Sequence, residues 1–530
     1  MFWIQTNIHS QTISADSLKR HITYLGDDAL QGRGTGTEGE QIAARYIAER
    51  LKSYGISEKG DHGSYFQYIP MHGSMPTSQS RLRLIADSLE LYCYYDRDYL
   101  CYQIGPQTFI PTPVPLVFVG YGIIAPEFDY NDYQELDVAG KVVVFLSGEP
   151  FSNDPNYFAG AQSTIYSYPE SKQRIAISRG AVGSILIPTT LDDHMRPWEY
   201  WQQVFSFEDV KLAYSVASAF HIVMNQQAAR LLFDYAEYPL YQVLDMDRTN
   251  TIRSFPLEIS IKFDGDFKER DFLARNVVGM LPGHDTDLRD SYVLLSAHYD
   301  HLGFGKPVQG DSIYNGVFDN AAGVAALLEL ARVFQQSPDS PACPLIFLFT
   351  TGEEKGLLGA TYYTDHPVVP LYRTKANINI DGLAMFDTFR DIVGVGSEYS
   401  TLRQHLQEVA RELGLKVSSI PSEFLTFESF ARSDQIAFAK AGVPSILIAE
   451  GFHCQNIPDA TCQGLFMEWM QQRYHTPFDD LMQAMNLDAA VQHCEVIREF
   501  CRHVAEQKHI DWYPGGPFVN ERLRSIAEKR

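Results

Sequence analysis

The chain changes from apolar to polar within the stretch YVLLSAHYDHLG (292–303). Its first five residues are mostly large and apolar, which is typical of a buried strand, and the strand pattern ends next to His298. A polar side chain directly after such a strand lies at the carboxyl end of that strand. In an open α/β sheet this is the edge where ligands usually bind, so His298 is a candidate functional residue.

Two later apolar runs end in the same way. Leu345–Phe349 continues through a short polar turn into Glu353 and Glu354, and Ala376–Ile380 is followed by Asp381. After Asn276 such strands alternate with amphipathic helices, which predicts a mostly parallel mixed sheet flanked by helices. The three acidic residues are therefore expected to lie beside His298.

Two further segments supply polar side chains next to predicted helices. Asp319 precedes Val324–Phe334, which has helical spacing of apolar residues, and His475 lies in a turn before the helical pattern of 487–501. Imidazole and carboxylate groups together are the ligands that zinc takes in catalytic sites, which keep an open position for water. Two Zn²⁺ carry four positive charges, and Asp319, Asp381, Glu354 and a bridging hydroxide would balance them.

Composition excludes several classes of protein. The 530 residues are 45% hydrophobic and 21% charged, as expected for a globular protein of two or three domains. A formal net charge of −23 argues against nucleic acid or an anionic membrane as partner. No apolar run is long enough for a transmembrane helix, and the first residues lack a signal-peptide pattern.

The pattern of predicted helices and strands divides the chain into three parts. Residues 1–110 form an amino-terminal segment expected to pack on the last part of the chain, with a helix over Glu38–Tyr54 that begins at a capping box of Thr37 and Glu40. Residues 111–264 are rich in short strands and form a β-rich insert. Residues 265–530 form the catalytic domain. The glycine-rich stretch at 32–36 is interpreted as a turn, because it lacks the Lys-Ser/Thr ending of a phosphate loop.

The seven cysteines include no CxxC pair, so no thiolate zinc site is predicted. Cys454 and Cys462 flank a short loop and are one candidate disulfide. Cys93 with Cys101 is another, and free thiols remain the alternative for both pairs.

Five motifs occur in the order found in a known family: HYDHLG (298–303), NGVFDNAAG (315–323), TTGEEKGLLGA (350–360), NINIDG (377–382) and YHTP (474–477). Together they resemble the co-catalytic zinc peptidases, which include secreted bacterial aminopeptidases, glutamate carboxypeptidase and the transferrin receptor. VGYGIIAPEFDYNDYQELDVAGKVVVF (119–145) resembles the protease-associated domain inserted in larger members, and residues 25–51 resemble their amino-terminal segment.

The resemblance implies a role for each matched residue. It assigns His298 and Asp381 to one zinc, Glu354 and His475 to the other, and Asp319 to both. It further makes Glu353 the general base, Asp300 the carboxylate that fixes His298, and Tyr474 a phenol that supports the oxyanion. His301 is interpreted as structural and His493 and His503 as helix-surface residues. Gln435 stands where relatives usually have His, which leaves substrate contacts there in question.

The sequence thus predicts a zinc-dependent aminopeptidase that removes amino-terminal residues from peptides through a metal-bridging hydroxide. A carboxypeptidase or dipeptidase of the same family, a receptor-like relative without metals, and a glutaminyl-cyclase-like acyltransferase are the alternatives. The motifs show no Arg clamp for a terminal carboxylate, which favours the aminopeptidase. A periplasmic or secreted location, with the signal peptide absent from this sequence, is expected, and a cytoplasmic one is the alternative. Side-chain preference and oligomeric state are not predicted.

Overall fold

The computed structural model describes residues 12–86, 89–101, 109–134, 136–154, 156–160, 164–215, 220–420 and 428–529. These residues form two compact units. The described residues up to Met71 and from Phe272 onward form the first unit, and those from His72 to Asp271 form the second.

The strands are numbered along the chain as β1 (Ser57–Glu58), β2 (Phe66–Pro76), β3 (Arg81–Ala86), β4 (Leu89–Tyr94), β5 (Tyr99–Cys101), β6 (Phe109–Phe118), β7 (Ile124–Ala125), β8 (Tyr130–Asn131), β9 (Val142–Leu146), β10 (Gly183–Ile187), β11 (Asp209–Leu212), β12 (Phe220–Met224), β13 (Phe255–Asp264), β14 (Phe267–Leu281), β15 (Tyr292–His298), β16 (Gly303–Val308), β17 (Asp311–Tyr314), β18 (Leu345–Thr350), β19 (Thr374–Asn379), β20 (Asp391–Val395), β21 (Lys416–Val417) and β22 (Ser445–Glu450).

The α-helices are α1 (Ala15–Leu25), α2 (Glu38–Tyr54), α3 (Pro169–Ser178), α4 (Thr190–Met195), α5 (Trp198–Val204), α6 (Gln226–Phe233), α7 (Leu240–Arg248), α8 (Ala322–Gln336), α9 (Leu358–Asp365), α10 (Leu402–Glu412), α11 (Glu428–Ala431), α12 (Gln435–Lys440), α13 (Asp459–Gln472), α14 (Leu487–Glu506) and α15 (Val519–Glu528). Among the described residues, no helix has the length and apolar character needed to cross a membrane.

The first unit is built on a sheet with the order β2-β14-β18-β15-β19-β22-β20-β21. Strands β18, β15, β19 and β22 are parallel, whereas β14 and β20 are antiparallel to their neighbours β18 and β22. Alternate residues of β15 enter different cores: Val293 and Leu295 pack with α1, α2, α8, α10 and α14, and Leu294 packs with α9 and α12. The predicted mixed, mostly parallel sheet flanked by helices is confirmed.

One helix in the amino-terminal part of this unit has the bounds expected from the sequence. Helix α2 spans Glu38–Tyr54 as predicted, and the Thr37 hydroxyl accepts a hydrogen bond from the backbone N–H of Glu40 at 3.4 Å. This contact is the first half of the capping box. The Glu40 carboxylate does not complete it, because it accepts from the N–H of Gly36 at 3.2 Å and from the hydroxyl of Tyr299 at 3.0 Å.

The second unit contains a sheet with the order β4-β3-β13-β6-β9-β10-β12-β5. Strands β6, β9, β10 and β12 are parallel, and β13, β3 and β4 continue the sheet in antiparallel register. Because β3, β4 and β5 pair into this sheet, the unit begins well before the position 111 expected for the insert, and it ends at Asp271 rather than at 264. That this unit is a protease-associated domain stays a prediction.

The two candidate disulfides have different outcomes. Cys454 and Cys462 are bonded, with Cα atoms 6.0 Å apart. Cys93 and Cys101 are free thiols, because they lie on β4 and β5, which are not paired with each other. Burial raises the pKa of the Cys93 thiol to about 12, so this cysteine is protonated at neutral pH.

Candidate metal centre

The five predicted ligand residues converge in the first unit. His298 ends β15, Glu354 and Asp381 follow β18 and β19, Asp319 lies in the turn that precedes α8, and His475 lies in the segment between α13 and α14. Parallel strands bring the first three to one edge of the sheet, as the sequence predicted.

Asp319 lies between the two histidines. Its Oδ1 is 3.3 Å from Nε2 of His298, and its Oδ2 is 3.2 Å from Nε2 of His475. On one side, Oδ1 of Asp381 is 3.1 Å from Nε2 of His298. On the other side, Oε2 of Glu354 is 3.2 Å from Nε2 of His475. The cluster therefore consists of two groups of three ligand atoms that share one carboxylate.

These atoms fit zinc in type and spacing. Ligands at about 2.0–2.1 Å from a tetrahedral ion lie about 3.3 Å from one another, close to the 3.1–3.3 Å between the histidine nitrogen and each carboxylate oxygen in both groups. Imidazole nitrogens and carboxylate oxygens are also the donors found in catalytic zinc sites. The residues present can thus hold one zinc ion in each group.

The carboxylates of the cluster favour positive charge at the site. Burial alone would lower the pKa of His475, but Glu354 and Asp319 raise it to about 10. Burial likewise opposes the charge on His298, and yet Glu353, Asp381 and Asp319 hold its pKa well above the usual value. The carboxylates that attract protons to these rings in the metal-free protein are the groups that would attract a divalent cation.

Glu353 and Asp300 lie next to the His298 side of the cluster. Ligand atoms of Glu353, His298 and Asp381 all lie within 4.8 Å of one another. Burial raises the pKa of Glu353 well above its usual value, and the charge of Glu354 adds to the effect, whereas His298 opposes it. The backbone N–H of Glu353 donates to Oδ1 of Asp300 at 3.1 Å, so Asp300 fixes the turn that bears Glu353.

The contact between Asp300 and His298 differs in detail from the expectation. Nδ1 of His298 is 3.2 Å from the backbone carbonyl of Asp300 and 3.8 Å from its carboxylate. The hydrogen bond that orients the ring therefore goes to the main chain. The hydroxyl of Thr35 donates to the other carboxylate oxygen of Asp300 at 2.9 Å.

Tyr474 stacks on the neighbouring ring of His475, with ring centroids 3.9 Å apart. Burial raises the pKa of its phenol well above 10, and the charges of Asp319 and Glu354 act in the same direction. The phenol is therefore neutral and keeps a proton to donate beside the cluster.

Three histidines and Gln435 received an interpretation from the sequence, and the structure corrects the one for His493. His301 is buried, and its Nδ1 contacts Oε1 of Glu354 at 2.6 Å, so it holds a metal-ligand candidate. The surface assignment of His493 is wrong, because its ring accepts from the N–H of Ala384 and contacts the carbonyl of Ile448, both at 3.0 Å. His503 is half-buried.

Gln435 is buried and contacts the protein at both ends of its amide. Its Oε1 accepts from Asn379 at 2.8 Å and its Nε2 donates to the carbonyl of Phe430 at 3.0 Å. These bonds connect the end of β19 to the start of α12. The departure from the family pattern is thus accommodated inside the unit.

Two residues that support the site were not recognised from the sequence. The fully buried guanidinium of Arg33 donates to the carbonyls of Tyr299, Asn315 and Gly316, at 2.7–2.8 Å, and of Leu25. The carboxylate of Asp479 accepts from the backbone N–H groups of Phe318 and Asp319, at 2.9–3.1 Å. The glycine-rich run around Arg33 and the acidic pair after YHTP were the available signals.

Part of the chain matches a known protein family. Residues 276–501 match peptidase family M28. The chain contains an M28 peptidase domain. The matched range includes all five ligand candidates, Glu353, Asp300 and Tyr474.

The relatives of the M28 domain with curated descriptions match parts of the chain. Aminopeptidase YwaD of Bacillus subtilis is 26% identical over 215 residues, which cover 39% of this chain and 40% of that protein. A probable zinc metalloprotease of Pyrenophora teres f. teres is 37% identical over 139 residues, 25% of this chain and 26% of its own length. The chain therefore spans less than half the length of these relatives.

A solved structure shares the fold over nearly the whole chain. The aminopeptidase from Aneurinibacillus sp. strain AM-1 aligns with a TM-score of 0.54 and 18% identity, covering 96% of this chain and 97% of that one. At this identity the likeness concerns the fold.

Proposed function

We propose that the protein is a two-zinc aminopeptidase of the M28 family. The observation that carries the proposal is the position of Asp319, whose two oxygens face different histidines at 3.3 and 3.2 Å. A carboxylate shared in this way suits a pair of ions better than a single one. The zinc and aminopeptidase descriptions of the relatives support the same conclusion.

When bound, the two ions supply Lewis-acid activation of a water molecule and of the scissile carbonyl. Glu353 takes the proton from the attacking water and returns it to the leaving amine, a role that its raised carboxyl pKa favours. Tyr474 donates its phenolic proton in a hydrogen bond to the oxygen on which negative charge develops.

The charge of the site favours substrates with a free amino terminus. The zinc ions would balance the three ligand carboxylates, so Glu353, beside His298 and Asp381, is the carboxylate that remains to attract the ammonium group of a free peptide terminus. The disulfide between Cys454 and Cys462 supports a periplasmic or extracellular location, where thiols are oxidised.

A carboxypeptidase is the second candidate, and one observation favours it. The positive charge of Arg432 lies near enough to Tyr474 to lower the pKa of its phenol, against the larger effects of burial, Asp319 and Glu354. A guanidinium near the site is the group that binds a terminal carboxylate in a carboxypeptidase.

Three forms of one short peptide test the two candidates: unmodified, amino-terminally acetylated, and carboxyl-terminally amidated. For an aminopeptidase, acetylation lowers kcat/KM by about 10- to 100-fold, since a charge-assisted hydrogen bond worth about 1.5–3 kcal/mol is lost. Amidation has little effect. If amidation abolishes cleavage and acetylation does not, and Arg432→Gln mimics amidation, the protein is a carboxypeptidase.

A further inference from the structure

A second group of potential metal ligands lies between two helices of the first unit. His405 and Glu408 are one turn apart on α10, and His503 is in the last turn of α14. Nδ1 of His405 is 3.0 Å from Nε2 of His503, which is 3.3 Å from Oε2 of Glu408. The remaining separation, from Nδ1 of His405 to the same oxygen, is 3.9 Å. We call these three residues the α10–α14 cluster.

The packing of the two helices explains why the ring nitrogens are held in place. Leu402, Leu406 and Val409 of α10 enter the same apolar core as Phe500 and Val504 of α14. The α10–α14 cluster lies at the rim of this contact, where the side chains of His405 and His503 are 16% and 20% exposed and that of Glu408 is 50% exposed. The rings are ordered by packing, but the carboxylate side is open to water and ions.

Hydrogen bonds alone do not satisfy all three polar groups of the α10–α14 cluster. A single proton between the two rings either lies on Nε2 of His503, where Nδ1 of His405 and the carboxylate of Glu408 share it, or lies on Nδ1 of His405 and leaves the lone pair of Nε2 facing that carboxylate. A cation accepts all three lone pairs at once.

Two of the three separations match those in the candidate metal centre of His298, Asp319, Glu354, Asp381 and His475, which we call the M28 site. Separations of 3.0 and 3.3 Å bracket those of the ligand atoms around Asp319, which are 3.1–3.3 Å, and the third edge of 3.9 Å involves the exposed Glu408 side chain. Ligands of one tetrahedral zinc ion are about 3.3 Å apart.

We propose that His405, Glu408 and His503 bind one divalent transition-metal ion of the zinc type, independently of the M28 site. Two imidazoles and one carboxylate form a three-ligand set that leaves a position for water. The ion connects α10 to α14 and stabilises the folded first unit, because it binds the folded chain and not the unfolded one. The α10–α14 cluster shares no residue with the M28 site.

Zinc binding to the loaded protein tests the proposal. The protein with its M28 site filled is dialysed against a series of Zn²⁺ concentrations, and zinc per chain is measured by elemental analysis. The wild type takes up one further equivalent, which His405→Gln and His503→Gln lose. Glu408→Gln weakens the binding at least about tenfold. Loss of a residue that only supports a metal ligand already costs about tenfold in affinity, so loss of a ligand costs at least as much. His509→Gln is the matched control, since His509 is an exposed histidine outside the cluster and its variant retains the equivalent.

Thermal unfolding gives an independent readout on the same samples. The unfolding midpoint of the wild type and of His509→Gln rises with added Zn²⁺, and that of His503→Gln does not. If a histidine variant does not fold, the exposed Glu408→Gln decides the question. The proposal is overturned if the wild type shows no further saturable equivalent, or if the cluster variants bind zinc as the wild type does.

Discussion

Glu353 and Glu354 are adjacent carboxylates with the same chemistry and different surroundings. Oε1 of Glu354 contacts His301 at 2.6 Å and its Oε2 faces His475 at 3.2 Å. Despite burial, the charges of His475 and His301 hold the pKa of Glu354 well below its usual range. Burial instead raises the pKa of Glu353. One acid is therefore suited to bind metal and the other to accept a proton.

Exchanging each acid for its amide separates the two roles. Glu353→Gln is expected to keep its zinc while kcat falls by about 10²–10⁴, the usual value of general acid–base catalysis. Glu354→Gln is expected to lose zinc from one side of the cluster. Zinc content and kcat are measured on the same preparations, with Glu398→Gln, an exposed acid, as the control. A Glu353→Gln protein that remains fully active refutes the role of base.

At the scale of elements, Arg33 connects three segments that surround the site. Its guanidinium donates to carbonyls at the end of α1, in the segment after β15 and in the loop before Asp319. The segment after β15 begins directly beyond His298, and the loop leads to Asp319. Arg33 thus fixes the backbone on which two ligand candidates are presented.

Arg33→Met is expected to lower both stability and activity. It leaves buried carbonyls without donors, at about 1–3 kcal/mol each, so the free energy of unfolding is expected to fall by at least about 3 kcal/mol. Denaturant unfolding and kcat measure the two effects. The stability and activity of Arg33→Lys are expected to lie between those of Arg33→Met and the wild type. The ammonium group of lysine cannot reach every carbonyl that the planar guanidinium reaches.

Arg403→Met is the control for a lost surface guanidinium, since Arg403 is exposed on α10. A stability of Arg33→Met equal to that of this control contradicts the role assigned to Arg33.

At the scale of the whole molecule, the M28 site joins residues that are far apart in sequence. Its ligand candidates extend from His298 to His475, and their carboxylates, together with that of Glu353, raise the pKa of both histidines. We therefore expect bound ions to stabilise the fold of the first unit.

Zinc content and thermal unfolding test this dependence. About two zinc ions per chain are expected to remain in the M28 site after dialysis against zinc-free buffer, besides any ion in the α10–α14 cluster, and a chelator is expected to lower the unfolding temperature. An ion present at about 100 times its Kd contributes about 2.7 kcal/mol. Asp319→Asn is expected to reduce binding on both sides, whereas Asp488→Asn, at an exposed position on α14, is not. A single zinc in the fully active wild type contradicts the two-ion proposal.

The sequence by itself was enough to predict the sheet type, α2 and the convergence of the ligand candidates. Apolar runs that end on His298 or continue into Asp381 are local patterns, and parallel topology brings such ends to one edge. These features depend on short segments whose periodicity is visible in the chain.

Only the tertiary structure decided the supporting contacts and the extent of the units. Arg33, His301 and Asp479 act through backbone and side-chain groups distant in sequence, and His493 is buried because α14 turns that face toward β22. The second unit includes β3–β5 because of strand pairing that no local pattern reveals. Periodicity shows which face of an element is apolar, but the partner of each polar group is determined by packing between distant segments.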